Sequence, residues 1–199
     1  MTKVLSLDIS TKTGFALIHI EGESISLVEY GLLKSAGKPE ALYPEDYLQW
    51  AKENASLVTK KIEEVDPDIV VIEETAKGSK NNFSQKILEW THYLVADFLI
   101  EQQYDSKYFM TGEWRVLVEA RMTKDEQKRN AKRLRIKQKT GSKIAKDEVG
   151  KIVGRVTKKH VNVRVANERF GLQLKIKDND VADAILLGAA YFELTKKQL

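Results

Sequence analysis

The chain contains no cysteine, which excludes disulfides and thiolate metal sites. No apolar run approaches the ~18 residues of a membrane-spanning helix, so no membrane partner is expected. The three histidines, His19, His92 and His160, fall in no metal-ligand spacing with one another. His19 alternates on a strand-like segment and His92 lies in an amphipathic one, so both read as structural. His160, beside Lys158 and Lys159, is the one placed to touch a phosphate. Trp114 and Phe83 are candidates for stacking on bases, while Trp90 on a long helical segment reads as core. The opening "MTKVLSLDIS" runs straight into a strand pattern without signal-peptide architecture; with the missing cysteine, it gives the expectation of a cytoplasmic protein. The most telling shortage is of negative charge between Arg121 and Arg164, where 16 Lys or Arg meet 4 Asp or Glu. That local +12 leaves −8 for the rest of a chain whose net charge is +4. A helix that merely keeps a protein soluble interleaves both signs. A basic stretch without counter-charges in an otherwise acidic chain points to a polyanionic partner.

What is present is a chain of 199 residues, 42% hydrophobic and 31% charged, sized for a single domain over 1–199 with a real core. "KVLSLDIS" predicts a short strand ending near Asp8. "TGFALIHIEG" and "ISLVEYGLLKS" predict two more, with "EGES" as the turn. Leu48, Ala51, Ala55, Val58 and Ile62 recur at helical spacing from Pro44 to Val65. "DPDIVVIEE" follows as a turn and a β-branched strand, the pattern of a central strand covered on both faces. Residues 81–103 predict a long helix whose stripe of Ile87, Trp90, Leu94 and Phe98 suits either the core or a second copy of the chain. "SKYFMTGEWRVLV" reads as a strand, a Thr111 cap and a helix. Residues 122–146 read as a helical hairpin or mobile arm within a basic insert over about 121–150. "DEVGKIVGRVTKKHVNVRVANERFG", residues 147–171, should be a helix that carries Lys158 and Lys159 and ends at Gly171, and a last helix should run from about Asp178 to Lys196. The expected class is α/β: a mixed central sheet with an antiparallel β1-β2-β3 meander, helices on both faces and a basic helical insert.

Three places in this pattern present acid where apolar residues would be cheaper. Asp8 closes the first strand, Glu73 and Glu74 close the buried "IVVIEE" strand, and Asp180 and Asp183 stand one turn apart on the last helix. Capping explains one or two of the three aspartates in "KDNDVAD", since negative charge in a first helical turn gains about 0.3–1 kcal/mol. It does not explain Asp183, which lies deeper. Charge on an apolar element is costly unless something pairs it. Three such stations in one small domain suit a site that holds hard cations through oxygen ligands. Two Mg²⁺ ions about 3.5–4 Å apart can clamp the attacking and leaving oxygens of a phosphoryl displacement, and the basic insert gives a reason for phosphates to be there.

"VLSLDISTKTGFALI", "IVVIEETAKG" and "DNDVADAILLGAAY", in that order, resemble the RuvC-like Holliday junction resolvases of the RNase H-like superfamily. "TGEWRVLV" and "VANERFGL" resemble segments of phage and prophage members. The resemblance spans both ends of the chain and much of its middle. It implies an Mg²⁺-dependent homodimeric endodeoxyribonuclease that nicks four-way DNA junctions, with Mn²⁺ as a substitute ion. By position, Asp8, Glu73, Asp180 and Asp183 would be the metal-binding, catalytic carboxylates. Lys158 and Lys159 would hold DNA, together with Lys124, Lys128, Arg129, Lys132, Arg133 and Arg135 of the insert. Two departures from the bacterial pattern stand out. Asp8-Ile9-Ser10 replaces Asp-x-Gly, and Ala76 replaces an aromatic three residues after the strand carboxylate. With the longer basic insert, they imply a phage-type enzyme, in an infected or prophage-carrying host, with broader selectivity for branched DNA. Two other functions fit the same residues: a non-catalytic binder of branched DNA on a nuclease-like fold, and a nuclease acting on hybrids or flaps. The hydroxyl-rich turn Ser10, Thr11, Thr13 also resembles the phosphate loop of actin-like sugar kinases, but those need a second lobe and far more chain.

Overall fold

The computed structural model describes residues 1–35, 42–75 and 82–197, apart from the side chains of Asn82 and Phe83. Ala76 and the Phe83 side chain, a candidate for base stacking, therefore lie outside the described residues. Two compact units are formed, Met1–Glu119 with Asp180–Leu199, and Ala120–Asn179.

The first unit is built on five strands: β1 (Thr2–Asp8), β2 (Lys12–Glu21), β3 (Ser24–Lys34), β4 (Ile69–Glu73) and β5 (Ser106–Phe109). Their order is β3-β2-β1-β4-β5. The first three form the expected antiparallel meander, and β4 and β5 add in parallel. The period of two along each strand sorts the side chains onto two faces. Leu5, Leu7 and Ile9 around β1, Phe15 and Leu17 on β2, and Val70 and Ile72 on β4 form one core. They pack with Ala55, Val58 and Ile62 of α1 (Glu45–Val65) and Val95 and Leu99 of α2 (Asn82–Glu101). Val4, Ser6, Ala16, Ile18 and Val71 face the other way, and all are buried. That face receives α6 (Asn179–Lys196). Ser6 on β1 donates its hydroxyl to the Ala184 carbonyl at 2.7 Å. A Cβ built on Gly188 would stand 2.5 Å from Ile18 Cδ1, so a small residue is what lets the helix lie so close.

Of the two roles open to the stripe on α2, it takes the core: Ile87 is fully buried, and Trp90, Leu94 and Phe98 pack against the apolar clusters. Other expectations need correction. Thr111 does not cap α3 (Thr111–Leu117); it is the helix's first residue, after Met110. Trp114, a candidate for stacking on bases, is fully buried.

In the second unit, residues 122–146 form no hairpin. They form one helix, α4 (Lys124–Thr140), which stops at Gly141 in the left-handed conformation, φ 64°. Of the helix expected over residues 147–171, only the second half forms, α5 (Lys158–Phe170). Residues 141–157 are irregular apart from a bridge between Lys146 and Ile152.

Candidate active site

The sheet register decides which acids can meet. Leu7 pairs with Ile72 across the parallel β1–β4 ladder, so the next residue on each strand, Asp8 and Glu73, stands beside the other. Both close the carboxyl ends of neighbouring central strands. The alternation that buries Leu7 and Ile72 under α1 and α2 turns Asp8 and Glu73 to the opposite face, where α6 lies.

The start of α6 is held at the same corner. Asp8 pairs with Gly14 on β2, and a Cβ on Gly14 would stand 2.0 Å from the Asp180 carbonyl oxygen. Only glycine allows that approach, so the main chain at Asp180 rests on the register partner of Asp8. Asp183 is one turn further along, adjacent to Ala184, whose carbonyl is tied to Ser6. Asp8, Glu73, Asp180 and Asp183 are all half-buried. Asp178 belongs to a separate 3₁₀ turn, Ile176–Asp178. Its carboxylate accepts from the Lys175 N–H at 2.9 Å, which makes it the capping residue of the three opening aspartates.

Two further residues stand at this corner; both lie in the segment "TGEWRVLV", from which the sequence assigned neither a place in the site. The Thr111 hydroxyl donates to Glu73 Oε1, and it gets there because β5 delivers α3 with Phe109 opposite Glu73. The main chain is pinned as well, with the Glu74 N–H on the Phe109 carbonyl at 2.9 Å. One helical turn after Thr111 comes Arg115, half-buried. Burial weakens the hold of its guanidinium on the proton, against the opposing charges of Asp183 and Glu73. Spatial convergence from β4, α3 and α6 is what joins these residues; chain spacing carries no trace of it. On the other face of the sheet, His92 hydrogen-bonds to the main chain of Ile9, the residue after Asp8. Burial pushes its imidazole down to about 4, so it is neutral at physiological pH.

The donors at the corner are carboxylates and one hydroxyl, the oxygen set that suits Mg²⁺ or Mn²⁺. Among the described residues, however, no three His, Cys, Asp or Glu side chains are arranged as a group that could hold a metal ion. The donor chemistry thus fits a hard divalent cation, while the coordination shell is not drawn together in this conformation.

The second unit carries the basic candidates. Thr123 and Glu126 form a reciprocal capping box at the start of α4. Glu126 also takes Arg164 Nε from α5 at 3.1 Å. Burial works against charge on Glu126, but the Thr123 N–H and Arg164 outweigh it and hold its carboxyl below the usual range. Asn130 exchanges two hydrogen bonds of 2.9 Å with the Val156 main chain. These polar ties attach α4, which buries no residue of its own. Lys124, Lys128, Lys132 and Arg135 recur at four- and three-residue steps on the exposed side of α4. Arg129 and Arg133 lie off that line: Arg133 is half-buried, and a Cβ on Gly154 would stand 3.3 Å from the Arg129 guanidinium. Lys158 and Lys159 are exposed in the first turn of α5, with Lys159 Nζ on the Asn179 side-chain oxygen at 3.2 Å. His160 is engaged with the Thr157 hydroxyl at 2.7 Å.

No protein-family model matches the chain, and no curated protein sequence does. Solved structures do. Thermus thermophilus RuvC bound to a Holliday junction substrate superposes with a TM-score of 0.57 at 12% identity, over 98% of this chain and 96% of that one. The T. thermophilus RuvC structure itself gives 0.56 at 13%, over the same shares. Ydc2, the yeast mitochondrial Holliday junction resolvase, gives 0.57 at 11%, over 98% of this chain and 80% of that one. At these identities the likeness is one of fold: the chain has the RNase H-like fold of the RuvC-like resolvases.

Proposed function

We propose that this chain, folded as those resolvases are, is a metal-dependent endonuclease that cuts branched DNA, four-way junctions first, and works as a homodimer. One observation carries the reading: the β1–β4 register sets Asp8 beside Glu73 on the face where Gly14 admits the start of α6 with Asp180 and Asp183. A fold alone does not fix an activity. Four acids delivered to one corner by three elements are a site-level reason, because nothing in sheet packing requires them there.

In this reading Asp8, Glu73, Asp180 and Asp183 hold Mg²⁺, two ions per site when fully loaded, with Mn²⁺ as a substitute. The bound metal supplies a polarised phosphoryl oxygen and an acidified water. Thr111 fixes the rotamer of Glu73 by occupying one of its oxygens. The stripe Lys124, Lys128, Lys132 and Arg135, with Lys158 and Lys159, meets phosphates and so positions DNA without reading its sequence. The test is cleavage of a synthetic four-way junction, end-labelled, with and without Mg²⁺, beside flap, RNA–DNA hybrid and linear duplex controls. Mg²⁺-dependent symmetric nicks in the junction are expected. Preferential cutting of hybrids or flaps would move the assignment to another nuclease of the same fold.

A non-catalytic binder of branched DNA is the second reading. The exposed basic stripe of α4 favours it, since those cations would serve a binder as well as a nuclease. Retention of all four acids opposes it, since carboxylates near phosphates repel DNA unless a cation intervenes. Junction binding without cleavage in either Mg²⁺ or Mn²⁺ would select it.

A further inference from the structure

We propose that Arg115 is the resident counter-cation of the acidic corner: it neutralises Glu73 and Asp183 while no metal is bound, and metal must displace it from them. This rests on the metal-dependent reading above. The placement is geometric. Phe109 sits opposite Glu73 in the β4–β5 ladder, and Thr111 at the start of α3 bonds to the Glu73 carboxylate. Residues four apart share a helix face, so the face of α3 that carries Thr111 to Glu73 carries Arg115 there too. Trp114, fully buried, anchors the helix, and the Arg115 guanidinium stands 5.6 Å from its ring centroid. The charges acting on Arg115 come from two separate elements, Glu73 of β4 and Asp183 of α6, which agrees with that placement.

The physics explains why such a residue is useful. Half-buried carboxylates crowded at one corner repel one another, and with no cation present they must take up protons or move apart. A guanidinium keeps its charge at any physiological pH and has only donors to offer. It can therefore pair with the acids but cannot share a metal ion with them as a ligand. Metal and guanidinium compete for the same oxygens, and a divalent ion gains less from the site while Arg115 remains in it. The corner is thus stable when empty, and its metal affinity is correspondingly lower.

The experiment is calorimetric titration of Mn²⁺ into the full chain without DNA, using wild type, Arg115→Gln, Arg115→Lys and Glu73→Gln. Arg115→Gln should bind Mn²⁺ roughly tenfold more tightly, within the range usual for coupled sites, and its metal-free form should melt lower than wild type. Arg115→Lys, which keeps the charge, should stay near wild type. A second measurement needs only wild type: phenylglyoxal modification of Arg115, followed by mass spectrometry, should quicken when Mn²⁺ is added. Unchanged or weaker Mn²⁺ affinity in Arg115→Gln, or reactivity of Arg115 indifferent to Mn²⁺, would overturn the proposal. If wild type binds Mn²⁺ and Glu73→Gln does not, such a result removes only the role of Arg115. If wild type and Glu73→Gln both bind no Mn²⁺, the metal-dependent reading falls and the counter-cation with it.

Discussion

At the scale of single residues, the acids divide by what already holds them. Asp178 is committed to the Lys175 N–H, whereas Asp8, Glu73, Asp180 and Asp183 are brought to one corner by the strands and α6. We expect Asp8→Asn, Glu73→Gln and Asp183→Asn each to abolish junction cleavage and leave junction binding nearly intact, with Asp180→Asn also severe. Asp178→Asn should keep its activity. Gel-shift and cleavage assays on the same preparations check both halves. Gly14 is the residue whose side chain would do most harm. With its Cβ 2.0 Å from the Asp180 carbonyl, Gly14→Ala must push α6 off the sheet, and overpacking of this kind costs about 1–3 kcal/mol. Thermal melting should show that loss, and cleavage should suffer more than stability does, because the displaced turn carries Asp180 and Asp183. His92 gives a pH signature. Its folded value of about 4 lies below the unfolded 6.5, so the unfolded chain binds the extra proton between those values. Stability is complete above pH 6.5 and falls as pH drops toward 4, by up to about 3 kcal/mol. His92→Gln should flatten that part of the stability curve, read by urea denaturation at pH 7 and pH 4.5.

At the scale of elements, legibility followed periodicity. The meander, α1, β4 and α6 were readable because alternating or helical apolar spacing marks which face is buried. The acids at the ends of β1 and β4 were readable because charge stands out against such runs. The segment "TGEWRVLV" stood out, but the place of Thr111 and Arg115 beside Glu73 did not, since only the β4–β5 register and the direction of α3 bring them there. The stretch from 147 to 157, expected as the first part of the helix that ends at Gly171, misled for the opposite reason. Val149, Ile152 and Val153 suggest helix spacing, yet Val149 and Ile152 are mostly exposed and the main chain turns at Gly150 with φ 79°. On α4 the cations are legible in the sequence, but their directions are not. The helix resolves them into an outward line, Lys124, Lys128, Lys132 and Arg135, with Arg129 and Arg133 turned from it. Replacing those four outward residues with Ala should weaken junction binding and flatten its salt dependence. The slope of log affinity against log salt should fall by about 0.9 for each phosphate no longer neutralised. The pattern of preferred cleavage positions should not change. Arg129→Ala with Arg133→Ala should alter the slope less. Fluorescence anisotropy across a salt series measures both; an unaltered slope in the quadruple variant would make α4 a merely solvated helix.

At the scale of the whole molecule, charge is divided between the units. Residues 120–179 carry +13 and the remainder −9 of the net +4. On the proposed function, such a chain attracts DNA through one part and needs a cation in the other, so binding and cutting should separate by condition: binding without metal, cleavage only with it. The number of copies acts at this scale too. A four-way junction presents two equivalent strands, and a two-fold dimer presents two equivalent sites. Because α2 commits Ile87, Trp90, Leu94 and Phe98 to the core, it has only its outer line for a second copy. There Tyr93 and Ile100, 67% and 76% exposed, lie two turns apart on one side. Two buried aspartates would be intolerable in such an interface, so Tyr93→Asp with Ile100→Asp should convert a dimer to a monomer in analytical ultracentrifugation. The functional consequence is specific. On a supercoiled plasmid extruding a cruciform, the dimer should make both cuts before dissociating and yield linear product. The monomeric variant should yield nicked circles with its metal site unharmed. A wild-type chain that sediments as a monomer both free and on the junction would remove the dimer, and linear product would then have to arise from two independent encounters.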